Sequence, residues 1–222
     1  MRLAQPAPAQ TRVPYLTEDG KRVPSVTTVI GRFKHADMLI RWAVKETREG
    51  RNYEETRDAA AHAGTIAHTL VECAIAGHPE PDFSKADPAT LAKARRAFTG
   101  YMGWQRAVGA EIRWSERRLV SAKLRVGGTP DAGGIIAGQR ALIDWKTSNA
   151  IYPDHLIQLA AYAMMIEEAD GEAPDVHYIC RFDKQTGDFS FHQFTDLSVA
   201  KRQFILLREA YDLDQLLKKQ AR

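Results

Sequence analysis

Residues 141–146 read Ala-Leu-Ile-Asp-Trp-Lys, and this stretch predicts a strand. Side chains alternate between the two faces of a strand, so Asp144 and Lys146 share one face. Ile143 and Trp145 share the opposite, apolar face. A charged pair on such a strand is costly to bury without partners. The stretch therefore indicates either an internal ion pair at a sheet edge or a functional site.

The spacing Asp-x-Lys is weak evidence by itself. The same spacing occurs at Asp19-Gly20-Lys21, in a segment whose composition predicts a turn. Further residues must therefore support a functional interpretation.

A glycine-rich segment, Gly127 to Gly134, contains one acid, Asp131. An acid among glycines usually marks a turn. Here the segment lies one short strand before Asp144, and a hairpin would bring Asp131 beside Asp144. Two converging carboxylates repel each other unless a cation lies between them. Oxygen ligands of this kind suit Mg²⁺ or Mn²⁺.

Two helices carry further candidates. His68 lies on the shoulder of the apolar stripe of a predicted helix, one turn after Gly64, and an exposed or capped histidine is the alternative. As a metal ligand, an imidazole would favour Mn²⁺ somewhat over Mg²⁺. Gln158 and Tyr162 are four residues apart and share a helix face. They form either an ordinary polar surface or a pair that faces the site.

The pattern along the chain predicts an α/β fold, with a mixed sheet flanked by helices and an N-terminal helical portion. Residues 1–12 are predicted to be a flexible tail, 13–110 a mainly helical portion that contributes His68, and 111–222 the α/β core. The expected order is helices, three strands, a helix, two strands and a helix. The predicted helices cover residues 37–48, 53–76, 88–108, 153–168 and 197–217, and an apolar stripe of the second comprises Ala63, Ile66, Ala67, Leu70 and Ala74.

Composition excludes several classes of protein. No apolar run approaches the length of about 20 residues that a membrane helix needs, so no membrane contact is expected and a cytoplasmic location is predicted. The two cysteines, Cys73 and Cys180, cannot by themselves ligate an iron–sulfur cluster, which takes four ligands. The net charge of +3 favours nucleic-acid binding only slightly.

Four motifs in order resemble the PD-(D/E)XK nuclease superfamily. The similarity is strongest to its RecB-like exonuclease branch, which includes Cas4-like, mitochondrial genome-maintenance and phage-type exonucleases. The chain departs from many Cas4-like proteins because it lacks the cysteines for their cluster. The matching motifs are Gly64-x-x-x-His68, Gly128-Thr129-Pro130-Asp131, Asp144-Trp145-Lys146-Thr147 and Gln158-x-x-x-Tyr162.

The resemblance implies a restriction-endonuclease-like core and a role for each motif. The implied metal ligands for Mg²⁺ or Mn²⁺ are His68, Asp131, Asp144 and the backbone carbonyl of Trp145, with Glu116 and, more weakly, Glu72 as accessory acids. Lys146 would position or activate the attacking water. Gln158 and Tyr162 would orient Lys146 and contact the DNA backbone.

The predicted activity is that of a Mg²⁺- or Mn²⁺-dependent deoxyribonuclease, an exonuclease acting at DNA ends in recombination, repair or phage DNA processing. A structure-specific endonuclease of the same fold and a non-catalytic nucleic-acid-binding module are the alternatives. DNA, single-stranded or with free ends, is the expected partner, and the host cell would be bacterial or phage-infected. Candidate DNA contacts are the basic residues Arg41, Lys45, Arg48, Arg51, Arg113, Arg117, Arg118, Lys123 and Arg125, and the aromatic residues Phe33, Trp42, Tyr101 and Trp104, for which surface and core roles are the alternatives.

Overall fold

The computed structural model describes residues 13–33, 37–183 and 186–221, except for the side chains of residues 37–39 and 56–60. The predicted tail, residues 1–12, lies outside this range. The helices are α1 (Val26–Arg32), α2 (Asp37–Arg48), α3 (Tyr53–Ala76), α4 (Pro88–Ala107), α5 (Pro153–Asp170) and α6 (Ser198–Gln220). The strands are β1 (Tyr15–Leu16), β2 (Arg22–Val23), β3 (Glu111–Ser115), β4 (Leu119–Ser121), β5 (Val126–Gly128), β6 (Ala132–Ile136), β7 (Gln139–Thr147), β8 (Val176–Phe182) and β9 (Phe189–Phe194).

Five strands form the main sheet, in the order β3-β6-β7-β8-β9. Strands β7 and β8 are parallel, and the other neighbours are antiparallel. A parallel pair needs a long crossover, and α5 provides it between β7 and β8. The pairs β1–β2 and β4–β5 form two small separate sheets. The fold is therefore the predicted α/β class, a mixed sheet flanked by helices.

Both faces of the sheet are covered. Ile143 and Trp145 on β7 belong to the apolar cluster that α3 and α4 cover. Leu142 and Ile179 belong to the cluster on the opposite face, which α1, α5 and α6 cover. The alternation predicted for β7 thus separates two cores, and Asp144, which follows Ile143, points away from the α3–α4 core.

The helix ends follow local sequence signals. The Ser25 hydroxyl accepts a hydrogen bond from the Thr28 backbone N–H at 3.0 Å, so Ser25 caps the N-terminus of α1. Helices α2 and α3 cover their predicted ranges, and α3 ends at Gly77 with a φ of 67°. A left-handed φ of this kind favours glycine over other residues.

The prediction of three strands before α5 was wrong, because β3 to β7 all precede it. Gly133 and Gly134 lie inside β6, although glycine normally weakens a strand. A Cβ on Gly134 would lie 2.9 Å from the carbonyl carbon of Glu111, so the close approach of β3 requires glycine there.

One smaller expectation also differs from the structure. Ala74 was assigned to the buried stripe of α3, but it is exposed, and Val71 is buried instead. The division of the chain at residue 110 stays a prediction. Among the described residues, no helix has the length and apolarity that a membrane span requires.

We expect the burial of a leucine to decide how much its truncation to alanine lowers the free energy of unfolding. Leu70 on α3 is 1% exposed, and Leu16 on β1 is 48% exposed. Leu70→Ala should lower the free energy of unfolding by about 2–5 kcal/mol because it leaves a cavity under α3. Leu16→Ala should change it by no more than about 0.5 kcal/mol. Urea denaturation of both variants checks this, and equal costs would contradict the described core.

Candidate metal-dependent active site

The register between β6 and β7 places two acids side by side. Ala132 pairs with Ile143 at the end of the antiparallel ladder, so Asp131 and Asp144 occupy the next positions on the two strands. The Asp131 carboxylate accepts a hydrogen bond from the Trp145 backbone N–H at 2.7 Å. This hydrogen bond holds Asp131 against β7, one residue beyond the Ala132–Ile143 pair that ends the ladder.

Lys146 reaches the same place from β7. Its ammonium lies 2.5 Å from Asp144 Oδ2 and donates a hydrogen bond to Gln158 Oε1 at 3.1 Å. The Gln158 amide in turn donates to the Tyr162 hydroxyl at 3.1 Å. Because Gln158 and Tyr162 lie one turn apart on α5, the crossover helix holds the ammonium at the end of β6.

Close packing fixes Tyr162 at the end of this chain of hydrogen bonds. A Cβ on Gly128 would lie 2.6 Å from Tyr162 Cε1, so the glycine allows the ring to press against β5. The structure therefore brings Gly128 of one motif and Tyr162 of another into direct contact.

The two acids are buried, which disfavours their charged forms. Burial raises the pKa of both Asp131 and Asp144 above the usual range, and the Lys146 ammonium partly opposes this. The charge of Asp131 further raises the pKa of Asp144. Asp144 is fully buried, its Oδ2 is paired with Lys146, and its Oδ1 has no hydrogen-bond partner among the described residues. A buried carboxylate in this state favours a cation.

His68 approaches from α3. Burial is the main cause that lowers its pKa to about 4, so the imidazole is neutral at pH 7 and its lone pair is available. Its Nε2 is buried and lacks a hydrogen-bond partner among the described residues. Its ring packs edge-on against Phe182 at 6.0 Å between centroids. Asp144 raises the pKa of His68 slightly, as expected for a nearby carboxylate.

Glu116, the implied accessory acid, lies one residue beyond β3. Its backbone N–H donates to the Asp131 carbonyl at 2.8 Å, and its φ is 49°. Desolvation, followed by the charge of Asp131, raises the pKa of Glu116 to about 7, although the residue as a whole is exposed. Desolvation also raises the pKa of Glu72, which lies one turn after His68 on α3.

The donor set fits a divalent cation. No three His, Cys, Asp or Glu side chains in the described residues already stand in a coordinating arrangement. Asp144 Oδ1 and His68 Nε2 nevertheless lack a hydrogen-bond partner among the described residues, and Asp131 adds a second carboxylate beside Asp144. These donors are a mixture of carboxylate and imidazole. The Trp145 carbonyl faces the same end of β6, because an extended residue directs its N–H and C=O to the same edge.

The sequence did not predict the cleft that adjoins these residues. Its volume is about 1030 Å³. Glu116 and Tyr162 line it on the side of the acids, and Arg22, Thr27 and Thr28 line it on the side of β2 and α1. Val23, Ser25 and Thr27 also line the cleft, but no local pattern in their segment predicts it.

The β1–β2 hairpin is fastened beside this cleft. The Tyr15 hydroxyl forms a hydrogen bond with Thr129 Oγ1 at 2.8 Å. The Arg118 guanidinium lies 4.0 Å from the centroid of the Tyr15 ring and donates to the carbonyl oxygens of Val13 and Pro14. Arg118, proposed as a DNA contact, is therefore engaged in holding the hairpin.

Several other proposed DNA contacts are buried or form ion pairs within the protein. Tyr101 and Trp104 are 0% and 5% exposed and pack in the α4 core, so they cannot stack on bases. Arg117 pairs with Asp170, and Arg125 pairs with Asp212. The basic residues of α2, together with Lys123, remain exposed.

No protein-family profile and no curated protein matches the chain. Among solved structures it is similar to a putative exonuclease from Eubacterium rectale, at 16% identity and a TM-score of 0.45, over 87% of this chain and 71% of that one. It is also similar to a phage-related exonuclease from Haemophilus somnus 129PT, at 12% identity and a TM-score of 0.37, over 71% of this chain and 83% of that one.

An alkaline exonuclease from Laribacter hongkongensis aligns at 12% identity and a TM-score of 0.34, over 73% of this chain and 92% of that one. Another solved structure aligns at 16% identity and a TM-score of 0.33, and the chain covers only 60% of its length. The function proposed for this chain rests on its own site geometry.

A glycine on α3 allows His68 to approach β7. A Cβ on Gly64 would lie 2.7 Å from Thr147 Cγ2 and 2.8 Å from Thr147 Cβ, whereas a Cβ on Gly103 of α4 would meet no atom within 4 Å. We expect Gly64→Ala to destabilise the protein by about 1–3 kcal/mol and to displace His68. Gly103→Ala should stabilise it by roughly 0.5–1 kcal/mol, as expected for a helix interior.

Thermal and urea unfolding of both variants measure these changes. An unchanged or increased stability of the Gly64→Ala variant would contradict the described contact between α3 and β7.

Proposed function

We propose that this chain is a metal-dependent deoxyribonuclease that hydrolyses phosphodiester bonds at DNA ends, in recombination, repair or phage DNA processing. The observation that carries the proposal is the meeting of Asp131, Asp144 and the Lys146 ammonium at the end of β6. Two acids and an ammonium around one point suit phosphoryl transfer, because the reacting phosphate and its nucleophile are both anionic.

His68, Asp131, Asp144 and the Trp145 carbonyl would hold a Mg²⁺ or Mn²⁺ ion, with Glu116 as a further ligand. When bound, such an ion neutralises phosphate charge and lowers the pKa of a coordinated water. The neutral imidazole of His68 and the unpartnered Oδ1 of Asp144 support this assignment.

Lys146 has a separate role. Its ammonium is held from one side by Asp144 and from the other by Gln158, so it stays in place while charge develops on a phosphate oxygen. A preorganised donor of this kind stabilises a transition state without rearrangement. Gln158 and Tyr162 orient Lys146, and Tyr162 also lines the cleft.

The cleft beside the acids is the proposed path of the DNA strand. Arg22 is exposed, and among the described residues it has no acidic partner. The hydroxyl groups of Thr27 and Thr28 line the same wall. A cation and hydroxyl groups suit contacts with phosphate oxygens.

The two Asp-x-Lys sequences of this chain provide a matched test of catalysis. Lys146→Ala should reduce the cleavage rate with Mn²⁺ by about 10²–10³-fold. Asp144→Asn should also weaken Mn²⁺ binding by about tenfold or more. The equivalent changes in the turn, Lys21→Ala and Asp19→Asn, should leave both quantities unchanged, because these side chains are exposed, pair with each other and do not line the cleft.

Gel assays of DNA cleavage and calorimetric titration with Mn²⁺ measure the two quantities. Full activity of the Lys146→Ala or the Asp144→Asn variant would rule out the proposed site.

The cleft predicts a role for one particular arginine of the hairpin. Arg22→Ala should weaken DNA binding in Ca²⁺ or EDTA and reduce the slope of log K against log salt by about one. Lys21→Ala is the control, because Lys21 pairs with Asp19 and does not line the cleft. Fluorescence anisotropy at several salt concentrations measures the slope. Equal slopes for the wild type and the Arg22→Ala variant would exclude this path.

The requirement for a DNA end separates an exonuclease from an endonuclease. We expect linear DNA to be degraded with Mn²⁺ or Mg²⁺, while covalently closed circular DNA stays intact. Loss of the closed circle at a comparable rate would assign an endonuclease instead. Tight DNA binding without cleavage of either substrate would assign a non-catalytic module.

A further inference from the structure

Helix α6 has two apolar faces. Its buried face comprises Ala200, Phe204 and Arg208, and Leu207 and Tyr211 pack partly beside them. A helix that covers a core normally has a polar face on its other side. The outer face of α6 instead carries six exposed large apolar side chains: Val199, Ile205, Leu206, Leu213, Leu216 and Leu217.

These six side chains lie on one side of α6. At 3.6 residues per turn they fall within an arc of about 120°, whose centre is about 180° from the buried face. They are six of the fourteen exposed large hydrophobic residues of the described chain, and they are 49–79% exposed. The stripe from Val199 to Leu217 is about 27 Å long. An exposed apolar surface of this extent on a folded protein indicates an interface.

Two opposite charges lie within the stripe. Arg202 and Glu209 are exposed, are seven residues apart and point in nearly the same direction as the leucines. Among the residues that the structure describes, neither has an ion-pair partner. Their order makes the stripe complementary to itself when a second copy runs in the opposite direction. In a parallel arrangement, by contrast, like charges would face each other.

We propose that α6 forms an antiparallel, twofold-symmetric contact with α6 of a second copy of this chain. The axis passes between Ile205 and Leu206, so that these side chains meet at the centre. Arg202 of each copy then lies opposite Glu209 of the other, and Leu213 lies beside Val199. Closed twofold contacts of this kind use one patch of surface twice.

The contact leaves the active site accessible. The stripe faces away from the core, whereas the cleft is lined by Arg208, Tyr211 and Gln215 on the inner side of α6. The proposal therefore does not depend on the catalytic assignment.

Sedimentation velocity of the full chain over a range of concentrations tests the proposal. We expect the wild type to form a species of twice the 24.9 kDa of one chain. Leu206→Glu should weaken the dimer at least about tenfold, because it buries a charge at the centre. Ile40→Glu, which changes an exposed apolar residue on α2, should leave the dimer unchanged.

The charges test the direction of the helices. R202E should weaken the dimer by about tenfold, and the double exchange R202E/E209R should restore it. Circular dichroism spectra and melting temperatures of all variants show that each one folds. A wild type that stays monomeric at every concentration would overturn the proposal and leave the face to another partner. A dimer that survives Leu206→Glu would place the contact elsewhere, and a double exchange that fails to restore it would exclude the antiparallel register.

Discussion

The register between β6 and β7 is the constraint on which the rest of the site depends. Because Ala132 pairs with Ile143, Asp131 and Asp144 become neighbours. A shift of one residue would move the side chains of a strand to the opposite face. Asp144 would then enter the apolar core that Ile143 now occupies under α3 and α4. On the other side of β6, its glycines allow β3 to approach closely, since a Cβ on Gly134 would lie 2.9 Å from the Glu111 carbonyl carbon.

Two helices add further residues to the candidate site. Helix α5 is the crossover that a parallel β7–β8 pair requires, and the same helix holds the Lys146 ammonium through Gln158. Helix α3 covers the other face and brings His68 to the end of the sheet. A buried, partly unpartnered carboxylate such as Asp144 costs stability in the free protein. Binding of a cation would offset that cost, so the buried carboxylate that destabilises the free protein would favour metal binding.

Much of the fold could be predicted from periodicity and end signals. Helices α2 and α3 follow local patterns, and the strand around Asp144 follows from alternation. The motif order also located the residues that meet at the end of β6. By contrast, the cleft, the fixing of Arg118 on Tyr15 and the burial of Tyr101 depend on partners from distant segments. The strand β6 was missed because close packing against β3, and not strand propensity, explains its glycines.

We expect one divalent ion to bind between Asp131 and Asp144, with His68 as a further ligand. A crystal grown with Mn²⁺, with diffraction recorded near the manganese absorption edge, would locate this ion. One anomalous peak should lie about 2.0–2.3 Å from a carboxylate oxygen of each aspartate and from Nε2 of His68. A peak bound elsewhere, or an intact pair of acids without any peak at saturating Mn²⁺, would contradict this expectation.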